Sequence, residues 1–157
     1  MKKIQSVLVS AALVIGMAAP AMAAQSDPEV IIYRFPGVRD SGGGSNSGVA
    51  TVFHCTNFSG ATENVRFVTR DSDSTLKSNT FISLFHLSTG TVTTHGVAAY
   101  TGEFDLSIGA VAQGTTAIAA TSTNIICTAE TIDASTSVPV GVARRGIRFS
   151  PVPGSQE

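Results

Sequence analysis

Val49-Ala50-Thr51-Val52-Phe53-His54-Cys55-Thr56-Asn57-Phe58 alternates with the two-residue period of an extended chain. Thr51, Phe53, Cys55 and Asn57 fall on one face; Val52, His54 and Thr56 fall on the other. The stretch is rich in β-branched and aromatic residues, the types that fit a pleated, half-buried surface. A second stretch of the same kind lies far along the chain, Asn124–Ile132. There Ile125, Cys127, Ala129 and Thr131 share a face, opposite Thr128 and Glu130. Both cysteines therefore sit on the more apolar side of a strand.

Outward from these two, short runs of Val, Ile, Thr and Phe alternate with clusters of Gly, Ser, Asn and Asp. The expected strands are Val30–Phe35, Val49–Phe58, Val65–Arg70, Thr80–Ser88, Thr91–Val97, Glu103–Ile108, Thr115–Thr121, Asn124–Ile132 and Gly146–Phe149. Thr101–Ala120 is rich in Ala and Gly; it reads as strand, with a loop or a short helical turn as the alternative. Thr89-Gly90 reads as the turn of a hairpin. No stripe of helical period runs through residues 24–157. The pattern predicts an all-β chain: one two-sheet antiparallel β-sandwich of immunoglobulin-like type over residues 24–157. The Trp that packs on the disulfide of an immunoglobulin domain is absent, since the chain has none. Phe53 or Phe67 is expected to fill that space.

Residues 1–23 have the three parts of an export signal in order. Lys2 and Lys3 are the basic start, Val7 to Ala19 the apolar run, and Ala21-Met22-Ala23 the small-residue cleavage site. The alternative is a membrane anchor, for which the apolar run is short. Export, to the periplasm or the exterior, places the chain in an oxidising compartment. Its two cysteines, Cys55 and Cys127, are then expected to form a disulfide between the sheets. Two buried thiols or an intermolecular link remain the alternatives.

Composition excludes several classes. With 43% apolar and 13% charged residues in 157, the chain is not intrinsically disordered. A net charge of −1 gives no electrostatic footprint for nucleic acid. After signal cleavage no membrane span is expected.

Chemistry-bearing motifs are sparse. Gly43-Gly44-Ser45-Asn46-Ser47 lacks the closing Gly of a hydrolase elbow and the Gly-Lys-Ser/Thr of a phosphate loop. Asp71-Ser72-Asp73-Ser74-Thr75 begins like a calcium loop, but Leu76 and Ile82 stand where Gly and Glu are needed. It is expected to be a solvated turn. Glu103 and Asp105, two apart, are expected on one exposed strand face. Arg144, Arg145 and Arg148 read as a charged edge that resists edge-to-edge pairing, with an anion or polysaccharide contact as the second possibility. His54, His86 and His95 are the only histidines. If Thr80–Ser88 and Thr91–Val97 form a hairpin, His86 and His95 become diagonal neighbours, within reach of one metal ion. Two unrelated surface histidines are the simpler expectation. No cofactor is expected.

Three segments together, His54-Cys55-Thr56-Asn57-Phe58-Ser59, Ala120 to Ala129 and Ile147 to Gly154, resemble a group of small exported bacterial β-rich proteins with a cysteine pair. The resemblance implies a signal peptide, a β-rich domain and a paired cysteine, and no activity or site residues. The expected role is therefore non-enzymatic: binding, adhesion or envelope structure, with a protein or polysaccharide partner. The alternative is a small periplasmic metal-binding protein or enzyme that uses the histidines.

Overall fold

The computed structural model describes residues 28–148, and the expected signal peptide lies outside them. Two five-stranded sheets pack face to face. The first has the order β10-β1-β7-β3-β4, built from β1 (Val30–Asp40), β3 (Glu63–Arg70), β4 (Leu76–Leu84), β7 (Val111–Ala120) and β10 (Ile147–Arg148). The second has the order β6-β5-β2-β8-β9, built from β2 (Val49–Asn57), β5 (Thr89–Thr93), β6 (Phe104–Asp105), β8 (Ile125–Asp133) and β9 (Gly141–Arg144). Every pairing is antiparallel except β5 with β6. The fold is all-β, a two-sheet β-sandwich.

The alternation of β2 and β8 is realised. Thr51, Phe53, Cys55 and Asn57 are buried, as are Ile125, Cys127 and Ala129. Phe35, Phe53 and Phe67 form a run of rings across the core, with centroids 5.6 and 5.8 Å apart. Phe35 and Phe67 belong to the first sheet and Phe53 to the second, so the run ties the layers together.

The disulfide forms, but within one sheet. Cys55 and Cys127 lie directly opposite each other on the adjacent strands β2 and β8, with Cα atoms 4.2 Å apart. That is the lateral spacing of a non-hydrogen-bonded cross-strand pair, not the roughly 10 Å between stacked sheets. The expectation of an inter-sheet bridge is corrected. Placing both cysteines on inward faces left open whether their strands were stacked or adjacent.

The expected hairpin around Thr89-Gly90 is also corrected. β4 pairs with β3 in the first sheet and β5 with β2 in the second, so the chain crosses between sheets there. The turn is Phe85–Ser88, where the Ser88 N–H donates to the Phe85 carbonyl and Leu87 takes a φ of 60°. Gly90 is a strand residue opposite Cys55. A Cβ there would come within 2.7 Å of Ile82 and Leu84 side-chain carbons. The glycine serves close packing, not a turn.

A second, smaller core covers the outer face of the second sheet. Ala50, Val52, Ile132 and Ala134 on that face pack with Val97, Ala99 and Tyr100 from the segment between β5 and β6. Asp105 accepts the Gly96 N–H and Glu103 the Val97 N–H, so these acidic residues pin the covering segment. Thr101–Ala120 resolves into the two-residue β6, an irregular stretch and the ten-residue β7.

Candidate functional site

Two concave sites border the second sheet. The larger is a groove of about 550 Å³ where the end of β1 meets β8 and β9. Its walls include Arg39, Thr131, Asp133, Ser135, Val142 and Arg144. The backbone N–H and C=O of Arg39 hold the Thr51 hydroxyl, leaving the exposed side chain to the groove. Arg144 donates from Nε to the Thr131 hydroxyl at 2.8 Å, which fixes its guanidinium across the sheet edge. Ser135 donates its hydroxyl and its N–H to Asp133 Oδ1, and these bonds hold the Asp133 carboxyl below the usual carboxylate range. The groove thus combines a fixed cationic fork at Arg144, the exposed guanidinium of Arg39, one carboxylate and hydroxyls.

The smaller site, about 240 Å³, is lined by His54, Tyr100, Thr128, Ala129, Glu130 and Ala143. Val52 pairs with Glu130 and His54 with Thr128, so His54 and Glu130 are diagonal neighbours on the outer face. His54 Nε2 lies 3.6 Å from Glu130 Oε1, and His54 Nδ1 is 3.0 Å from the Thr91 hydroxyl. The covering segment brings Tyr100 over the pair. Its ring meets His54 edge-on at 4.8 Å, and its hydroxyl donates to Glu130 Oε1. Burial, together with the Glu130 carboxylate, pushes the Tyr100 phenol up to about 12.

The histidines singled out from sequence are not brought together. His86 is exposed in the crossover turn, where its Nδ1 accepts the Gly60 N–H. His95 is buried beyond the end of β5. Its Nδ1 lies 2.7 Å from Asp40 Oδ2 and its Nε2 3.0 Å from the Ser47 carbonyl. Both ring nitrogens are occupied, and the pair clips the Ser41–Gly48 loop onto the sandwich. Among the described residues, no three of His, Cys, Asp and Glu form a group able to hold a metal.

Asp71–Thr75 is the turn between β3 and β4, closed by Asp71 and Asp73 bonding nearby backbone N–H groups. Arg144 and Arg148 sit on β9 and β10, edge strands of different sheets rather than one charged strand. β9 escaped the sequence reading because four residues with an exposed Val142 carry too little alternation to register. The groove has no local sequence signature, since Arg39 and Arg144 are more than a hundred residues apart. The His54–Glu130 diagonal did have one: once Cys55 is set opposite Cys127, the register follows. No protein-family model, curated protein or solved structure matches the chain.

Proposed function

We propose that the protein is an exported, non-enzymatic binding module, and that the arginine groove is its ligand site. The observation that carries this reading is the pair Arg39 and Arg144 on one concave surface that also holds Asp133, Ser135 and Thr131. Arginine forks suit carboxylate or sulfate groups. The Asp133 carboxylate disfavours a uniformly anionic ligand and accepts hydroxyl donors. A ligand with both an acidic group and hydroxyls fits the set: an acidic saccharide. Export is supported by the basic-apolar-small order of residues 1–23 and by the disulfide, which belongs to oxidising compartments.

The test titrates a uronic-acid oligosaccharide and its neutral counterpart into the purified protein. The acidic sugar is expected to bind, more weakly at high salt. Arg39→Ala is expected to weaken it about tenfold or more, on the scale of a lost charge-assisted hydrogen bond. Equal binding of both sugars, or full affinity in Arg39→Ala, rejects the reading. Arg39 is the better probe because its side chain, unlike that of Arg144, is not tied to Thr131.

A further inference from the structure

We infer that the end of the sandwich built around Phe58, Phe85 and Leu87 docks onto a phospholipid bilayer, independently of the arginine groove. Three connections meet at this end: 57–62 after β2, 85–88 between β4 and β5, and 121–124 between β7 and β8. Backbone bonds join them. The Leu87 N–H donates to the Asn57 carbonyl, the Asn57 N–H to the Ser88 carbonyl and the Phe58 N–H to the Asn124 carbonyl. His86 Nδ1 accepts the Gly60 N–H, so the turn is held from the side as well. On this frame Phe85 is 70% and Leu87 65% exposed, and Phe58 and Ile126 are about half exposed. Asn57 pairs with Ile125, so Phe58 and Ile126 are diagonal neighbours across the strand pair, and Leu87 flanks Phe58 on the other side. Leu87 holds this place at a φ of 60°, a conformation uncommon for a residue of its bulk.

The occupant follows from charge and area. None of the three connections contains Asp, Glu, Lys or Arg. The opposite end carries Asp71, Asp73 and Asp133. A tip without ionic groups loses no ion hydration on leaving water, which is the condition for entering the boundary between headgroups and acyl chains. Arg148 stands at the rim, where its guanidinium donates to the Thr123 carbonyl. A rim cation beside an apolar tip complements the phosphates that lie just outside the acyl region. Area argues against a second copy as the partner. Four side chains this exposed offer on the order of 400 Å² of apolar surface, against the roughly 800 Å² that each partner gives to a stable protein complex. A bilayer requires neither that area nor a matching shape, because protruding rings and aliphatic chains insert one by one. The arginine groove lies at the other end, lined there by Arg39, Gly48 and Asp133. Docking by the Phe85 end therefore leaves the groove facing away from the lipid.

The test floats the purified protein with vesicles of phosphatidylcholine containing a minority of phosphatidylglycerol. The protein is expected to rise with the vesicles and to stay with them at high salt, since insertion rather than charge holds it. Phe85→Ser and Leu87→Ser are each expected to weaken partition about tenfold, on the scale of burying one such side chain. Their urea midpoints should be unchanged, because both side chains are exposed. Phe85→Trp keeps an aromatic ring in a chain that has no Trp, and its emission should move to shorter wavelength on vesicles. The emission of Val142→Trp, in the arginine groove, should not move. A protein that fails to rise, full partition in both serine variants, or an emission shift at position 142 instead of 85 would each overturn the docking. So would a dimer in the absence of lipid that Phe85→Ser dissolves, which assigns the patch to a second copy. Flotation that begins only after residues 149–157 are removed assigns it to the chain's own tail and overturns it too.

Discussion

At the scale of single residues, His95 shows what a buried histidine does in this chain. It faces a carboxylate on one side and a carbonyl on the other. The second Asp40 oxygen accepts the Gly42 N–H, so the clip holds both ends of the Ser41–Gly48 loop. His95→Ala strips Asp40 of its buried partner and is expected to cost about 3–5 kcal/mol, read from urea denaturation. A loss within experimental error of zero contradicts the clip. Tyr100 makes a different prediction. A tyrosine in the unfolded chain ionises near pH 10, whereas Tyr100 in the fold ionises at about 12. Between these values the folded state keeps a proton that the unfolded state has lost. Stability therefore falls as pH rises from about 10 to about 12. Phenolate absorbance should show one late step, absent in Tyr100→Phe, and the alkaline fall in stability should flatten in that variant. A late step that survives the substitution assigns it elsewhere.

At the scale of elements, the period-two pattern located the buried strands well because burial on one face forces alternation. Val49–Asn57 and Ile125–Asp133 are the clear cases. What it could not supply was partnership. A strand's own residues specify which face is inward, not which strand lies beside it. The pattern therefore pairs the two cysteines and leaves open whether their strands are stacked or adjacent. Gly90 misled for another reason: glycine marks turns and close approaches alike. The left-handed position of the real turn belongs to Leu87, a residue no turn rule selects. The close approach at Gly90 can be tested. Gly90→Val adds side-chain carbons where Ile82 and Leu84 already sit within 2.7 Å of a Cβ. The expected cost is about 1–3 kcal/mol from overpacking. Trimming the neighbour in the double variant Gly90→Val with Leu84→Ala should recover part of it, as a non-additive pair in a double-mutant cycle. Strict additivity would show that the glycine is not needed for packing.

At the scale of the whole molecule, the disulfide acts on everything between its ends. Cys55 and Cys127 are separated by 72 positions in sequence. The enclosed chain contains β3 to β7, which include three strands of the first sheet and two of the second. The bridge joins strands that already pair through a nine-position register, so it adds little to the folded geometry that the β2–β8 ladder lacks. Its effect lies in the unfolded chain, where a closed loop of this length forgoes conformational entropy worth about 4 kcal/mol in the chain-entropy model. Two consequences separate this account from one of local reinforcement. Replacing both cysteines with Ala should lower unfolding stability by about 2–5 kcal/mol. It should also leave the β2–β8 pairing intact, seen as unchanged amide cross-strand contacts between residues 49–57 and 125–133 in nuclear magnetic resonance. The oxidised and substituted proteins should then differ most in the denatured state, with a larger denaturant m-value once the loop is open. An unchanged m-value together with lost β2–β8 contacts would mean that the bridge builds the ladder rather than restrains the coil.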